Sequence, residues 1–329
     1  MTIEEIARDP RCLLHRIDPA RRQLHFQPAS AELVRAAAFI DGRTDIWTGP
    51  PVVLPFEGAE AEAPTATPAI FHMSFCGSTL LARLLDFPGK VLALKEPNCL
   101  VDLADWKRAG GGPEFEAMLR FALAMLGRPW AEGEQILLKP SSWANNLIDE
   151  LLDGNGLAVF VTIARDRFLE AVLRGGSERL AFTARLAAHL SPFAEGGPGR
   201  LQSAIDSDAE PIGKVARLAL VAHDLELRLF ERAIGRLAAA ETVDFANIEQ
   251  SPFEAAAAAA AGLQLALDEA EIEANCDRWT QANAKADAAF SAEQRASENE
   301  QVRAAYGAVI DDALAWAENA LGPGTLRSA

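Results

Sequence analysis

Ser74-Phe75-Cys76-Gly77-Ser78-Thr79-Leu80-Leu81 is the stretch on which the reading of the fold turns. The apolar run Ala69-Ile70-Phe71 leads into it, and the amphipathic segment Leu80 to Leu85 leaves it. That order reads as strand, tight small-residue turn, helix. Such a turn aims successive backbone N–H groups at one point, which suits a phosphate. Ser78 and Thr79 stand where the first helical turn begins and add hydroxyl donors. The plainer alternative is a strand-to-helix turn with a hydroxyl N-cap. The nucleotide-hydrolysing pattern G-x-x-x-x-G-K-[ST] needs a Lys directly before the hydroxyl residue, and Gly77 holds that place.

Three further strand-like runs follow. Lys90 to Leu94 ends at Lys95-Glu96-Pro97-Asn98, Gln135 to Leu138 at Lys139-Pro140-Ser141-Ser142, and Leu157 to Ile163 at Ala164-Arg165-Asp166-Arg167. Each run is short and continuously apolar, as strands covered on both faces are. Helical patterns at Phe115 to Leu126 and Trp143 to Leu152 alternate with them, which predicts an α/β fold with a mostly parallel sheet between helical layers. Ligands of open parallel sheets bind outside the carboxyl ends of the strands, so these polar strand ends are expected to converge on one crevice.

Composition narrows the function. The 329 residues carry a formal net charge of −16, which argues against binding nucleic acid or an anionic membrane surface. It leaves room for an anionic ligand in a locally basic pocket. No apolar run reaches the ~18–20 residues that span a bilayer. The acidic start Met1-Thr2-Ile3-Glu4-Glu5 lacks the layout of a signal peptide. Cys12, Cys76, Cys99 and Cys276 are scattered without metal-ligand or disulfide-framework spacing, so the expectation is a reducing, cytoplasmic protein without a metal.

Residues 1–64 read as an N-terminal extension and linker, and 65–329 as the main domain with a helical C-terminal part. Within the extension, Leu13 to Phe26 suggests a hairpin turning near Asp18-Pro19-Ala20, Ser30 caps a helix over Ala31 to Phe39, and Gly49 to Thr67 reads as a surface loop. Beyond Arg167 the chain turns mostly helical. Lys214 to Leu237 is a long amphipathic helix, Glu241 to Phe245 a last short strand, and Pro252 opens a helix through Ala255 to Ala261 with Gly262 as its C′ residue. From Asp268 onward the pattern is helical, acidic and alanine-rich.

In this order the landmarks resemble the PAPS-dependent sulfotransferase family, particularly its bacterial and carbohydrate-modifying branches, over roughly residues 68–280. PAPS, 3′-phosphoadenosine-5′-phosphosulfate, is the sulfuryl donor. The resemblance implies a P-loop NTPase-like three-layer fold, PAPS as co-substrate without a metal, and a small-molecule or carbohydrate acceptor. It implies that Cys76, Gly77, Ser78, Thr79 and Leu80 form the loop around the 5′-phosphosulfate. Glu96 matches the carboxylate that several carbohydrate sulfotransferases use as general base. Lys139-Pro140-Ser141 is similar to the segment whose Lys lies near the transferred sulfuryl group, and Arg165 to the strand-end Arg that contacts the 3′-phosphate. Val243-Asp244-Phe245, Ser251-Pro252 and Ala261-Gly262-Leu263 resemble the family's last strand and helix.

Two departures bear on activity. Phe75 stands where the family loop carries Lys or Arg, and Lys95, Lys139 and His72 are the groups able to replace that donor. Leu173 stands where the family has a Ser partnering the strand-end Arg, with Arg174 or Ser177 nearby as substitutes. Lys285 is a further basic candidate in the region of the family's nucleotide-covering loop. Glu96 also has a plain reading, a salt bridge to Lys95 or Lys139. Asp166 reads as structural and Cys76 as a packing residue. Three functions stay open: sulfuryl transfer to a hydroxyl or amine, a catalytically weak nucleotide- or phosphate-binding or regulatory protein on the same fold, and a P-loop kinase or ATPase.

Overall fold

Two sheets organise the chain in the computed structural model, which describes residues 2–60, 67–152, 156–279 and 292–326. The first is antiparallel, with β1 (Cys12–Asp18), β2 (Gln23–Pro28) and β3 (Val52–Pro55) in that order. The second contains β4 (Ala69–His72), β5 (Val91–Lys95), β6 (Gln135–Lys139), β7 (Ala158–Thr162) and β8 (Glu241–Asp244). Its order is β5-β6-β4-β7-β8 and every pairing is parallel.

This order explains the continuous apolar runs. Phe160 in β7 packs at 5.1 Å between ring centroids on Phe230 of the helix Pro211–Ile234, and stacks on Phe71 of β4. Its neighbour Val159 points the other way, toward the helix Pro252–Gly262, because successive strand residues face opposite sides. Both faces are therefore covered, and the protein is α/β with its parallel sheet flanked by helices. From β4 the chain runs outward to β5, returns through β6, and then crosses to β7 on the other side. β4 is thus the point where the strand order reverses, where open parallel sheets form a crevice.

The N-terminal residues are built into the same core. Leu13, Leu14, Ile17, Leu24 and Phe26 are buried with the apolar residues of the main sheet. Arg16 forms a paired ion bridge to Asp102 in the helix Asn98–Arg108, and Asp102 also accepts from the Ile17 N–H at 2.8 Å. Arg35 is ion-paired with Asp86 and Glu134, and Arg128 donates to the Ile6 and Cys12 carbonyls.

Several local expectations change. The stretch Gly49 to Thr67 contains strand β3; the prolines Pro51 and Pro55 that suggested a loop are tolerated because β3 is an edge strand. Residues 61–66 of that stretch lie outside the described residues. The helix after Ser30 stops at Ala36, and the Ser30 hydroxyl accepts from the Leu33 N–H. Trp143 to Leu152 is a 3₁₀ segment, Ser142–Leu147, followed by the short helix Ile148–Leu151. Gly262 is not the left-handed terminator of its helix. It ends the helix where a Cβ would lie 2.8 Å from that of Glu241, and Gln264 takes the positive φ of 52° instead.

Phe26 is fully buried and meets Phe121 edge-on at 6.5 Å. Phe26→Ala is expected to lower stability by about 3–5 kcal/mol. Thermal unfolding of the variant should shift as one transition; a second transition, with the main sheet melting as before, would mean that the N-terminal sheet is a separate unit.

Candidate functional site

The site grows from the carboxyl end of β4. The loop after it turns through two left-handed residues, Phe75 at φ 65° and Gly77 at φ 76°. Glycine is required at 77 twice over, since a Cβ there would also lie 2.9 Å from the Phe245 ring. The helix Ser78–Leu84 then begins, with Gly77 as an N-cap that offers no side-chain hydrogen bond. Ser78 and Thr79 are buried, Leu80 is half-buried, and none of the Phe75, Cys76 and Gly77 N–H groups bonds to the backbone of another described residue. Burial pushes the Cys76 thiol up to about 11, so the helix end does not activate it.

Three strand ends meet beside this loop. Lys139, the last residue of β6, is fully buried and donates from Nζ to Glu96 Oε1 at 2.8 Å. Its Nζ also lies 2.9 Å from His72 Nε2, at the end of β4. The ring is held from three sides, with Nε2 also 3.0 Å from the Pro140 carbonyl and Nδ1 2.9 Å from the Met73 carbonyl. Burial, and then the Lys139 charge, hold His72 down to about 3, so it is neutral. For Glu96, desolvation pushes upward, but Lys139, His72 and Arg43 together outweigh it and leave the carboxyl below its ordinary range. Glu96 itself sits at φ 60°, in front of Pro97, where a non-glycine residue is strained. Its N–H is pinned to the Lys139 carbonyl at 2.7 Å, which holds that geometry.

Lys95 is the register partner of Lys139, yet it joins a different cluster. Its Nζ donates to the Arg35 carbonyl at 3.2 Å and lies 3.4 Å from Asp86, away from Glu96. Burial, with Arg83, Arg35 and Lys139 nearby, lowers it to about 7. Arg165, at the end of β7, is buried under the C-terminal segment and donates from Nη1 to the Gly322 carbonyl at 2.9 Å. Burial lowers its pKa, though Asp224 and Glu318 oppose the shift. Arg174 lies at the far end of the same helix, about 13 Å along its axis, and bonds to Asn299. The structure therefore brings the loop, Glu96 and Lys139 together, and directs Lys95, Arg165 and Arg174 to other partners. Lys285 lies outside the described residues.

Four residues join the site that the sequence reading does not single out. Arg43 reaches Glu96 Oε2 at 3.3 Å and stacks over Phe39, whose ring also lies 5.9 Å from Lys139 Nζ. Arg179 stands 4.8 Å over the Phe75 ring, which also packs on Phe168 and Phe182. Glu226, on the helix Pro211–Ile234, is buried beneath the loop, bonded to Asn145 Nδ2 at 3.1 Å and to the Ser74 N–H. Burial raises its pKa well above the ordinary value, against the Ser74 and Asn145 hydrogen bonds, and its Oε2 is buried without a hydrogen-bond partner. No periodicity marks these residues; each reaches the site across a long sequence separation.

Among the described residues, no group of three or more His, Cys, Asp or Glu side chains is placed to hold a metal ion, and no helix is long and apolar enough to cross a membrane. No protein-family model matches the chain, and no curated protein matches it.

The buried neutral His72 and the buried Glu226 make opposite contributions to acid stability. An unfolded histidine titrates near 6.5, so between about pH 6.5 and 4.5 the unfolded chain takes up a proton at His72 that the folded chain does not. This makes stability fall as pH falls through that window. Glu226 binds its proton more tightly when folded than when unfolded, where it titrates near 4.5, so it makes stability rise as pH falls. His72→Gln is expected to flatten the fall by up to about 1.4 kcal/mol per pH unit, and Glu226→Gln to steepen it. Urea unfolding at several pH values checks this; unchanged slopes would contradict both shifts.

Proposed function

We propose that the protein is a sulfotransferase-like enzyme of P-loop type that moves the sulfuryl group of PAPS to a hydroxyl or amine acceptor. The observation that carries this reading is the buried Lys139–Glu96 pair beside the 74–79 loop, at the strand where the sheet order reverses. The loop N–H groups and the Ser78 and Thr79 hydroxyls hold the 5′-phosphosulfate. The acceptor oxygen or nitrogen attacks sulfur, the bond from sulfur to the bridging oxygen breaks, and adenosine 3′,5′-bisphosphate leaves. Lys139 donates to the oxygen on which negative charge develops. As its ammonium turns to that oxygen, the Glu96 carboxylate loses its strongest partner, regains basicity and takes the acceptor proton. Arg179, held over Phe75, supplies a cation beside the loop where the family carries one on the loop itself.

A second reading, phosphate or nucleotide binding with little turnover, is favoured by two observations. The Phe75 side chain is packed among aromatic rings and has no donor, and Arg165 is engaged by the chain's own carbonyl. A kinase is the weaker third reading, because Gly77 occupies the position of the phosphate-binding Lys.

Thermal shift with adenosine 3′,5′-bisphosphate against ATP with Mg²⁺, followed by transfer from PAPS to an acceptor panel, separates the three. A bisphosphate at ~100 times its dissociation constant should add ~2.7 kcal/mol to stability. Transfer should then be found, and Lys139→Met should lower kcat/KM by about 10²–10³ with the fold kept. Bisphosphate binding without transfer selects the binding protein; a response to ATP with Mg²⁺ alone overturns the sulfotransferase reading.

A further inference from the structure

Three arginines from three helices converge where the long C-terminal helix Ala292–Ala320 ends. Arg165 opens the helix Arg165–Arg174, Arg200 lies in Gly197–Ile205, and Arg228 in Pro211–Ile234. Arg165 Nη1 donates to the Gly322 carbonyl at 2.9 Å; Arg200 Nη1 and Arg228 Nη2 donate to the Leu321 carbonyl at 3.1 and 3.4 Å. Among the described residues, Asp224 is the one buried carboxylate in contact, 2.9 Å from Arg228 Nε and 3.4 Å from Arg200 Nη1. Glu318 lies 3.5 Å from Arg165, but its side chain is 69% exposed.

The arrangement is short of negative charge. Arg165 is 6% exposed, yet its Nε and Nη2 are buried without a hydrogen-bond partner, as is Arg200 Nε. Two neutral carbonyls stand where three guanidinium groups could grip an anion, and hydrogen bonds to an anion are roughly twice as strong as those to a neutral acceptor. The segment sits directly on the guanidinium plane: a Cβ on Gly324 would lie 2.6 Å from Arg165 Nε. A helix C-terminus does attract cations, so capping accounts for one arginine. It does not account for three, nor for the unpartnered N–H groups.

We propose that Arg165, Arg200 and Arg228 form a binding site for a phosphate group, and that the chain's own segment Leu321 to Leu326 occupies it as an intramolecular competitor. A phosphate displaces the Leu321 and Gly322 carbonyls, satisfies the free Arg165 and Arg200 donors, and adds the missing negative charge. The inference rests on the reading above for which ligand brings the phosphate, and not for the site. Release of the segment would then accompany ligand binding, which gives the protein a self-blocked resting state.

The test is calorimetric titration of inorganic pyrophosphate and of adenosine 3′,5′-bisphosphate into the full chain and into a chain ending at Ala320, each with and without Arg200→Gln. Shortening should tighten pyrophosphate binding by roughly tenfold or more, about 1.4 kcal/mol, and Arg200→Gln should remove the gain. Gly324→Val in the full chain lifts the segment while keeping the helix, and should act in the same direction if the shortened chain does not fold. Equal pyrophosphate affinity in full and opened chains, no binding in either, or a gain that survives Arg200→Gln overturns the proposal. A pyrophosphate response without a bisphosphate response sinks the sulfotransferase reading and leaves this site standing. PAPS turnover with no effect of shortening does the reverse.

Discussion

A lysine ammonium with no exposed surface sits at the carboxyl end of the central sheet, and the surroundings are arranged to tolerate it. An unpaired buried charge costs several kcal/mol, so Lys139 can stay charged there only with close partners. It has two: Glu96 at 2.8 Å and the neutral His72 at 2.9 Å. Those residues end β5 and β4, so one ammonium ties three strand ends together. The same requirement holds Glu96 at a positive φ and sets His72 between Lys139 and the Met73 and Pro140 carbonyls. Glu96 and His72 thus set the place of the ammonium beside the 74–79 loop.

Around that centre the remaining elements act as braces. The N-terminal residues deliver Phe39 and Arg43 to the outer side of the Lys139–Glu96 pair, and so belong to the site as much as to the core. Glu226 and Asn145 hold the loop from beneath, with Asn145 Nδ2 donating to both the His72 carbonyl and Glu226. Phe245, at the end of β8, closes over Gly77. The C-terminal helix covers the Arg165 side. Residues from both ends of the chain therefore surround the strand ends.

The strands were legible because two-sided burial writes a simple signal, a short unbroken apolar run, and each run ended in the polar residues found at the strand ends. β3 was hidden because prolines at both ends of a four-residue edge strand look like a loop. The fate of the lysines was not legible at all. Lys95 and Lys139 end neighbouring strands in register, and only the placement of Asp86 and Glu96 in space separates a buried ion cluster from the site. Arg165 stood at the expected strand end, but its partner Gly322 lies 157 residues further on. Arg43, Arg179 and Glu226 were invisible for the same reason: their contacts are tertiary, and no local pattern encodes them.

Amide hydrogen exchange with and without adenosine 3′,5′-bisphosphate tests most directly whether the 74–79 loop and the Lys139–Glu96 pair form one phosphate-binding site. Slowed exchange is expected at Phe75, Cys76 and Gly77, whose N–H groups have no backbone acceptor among the described residues. Ligand binding that leaves those three amides unprotected, with protection elsewhere, would contradict it.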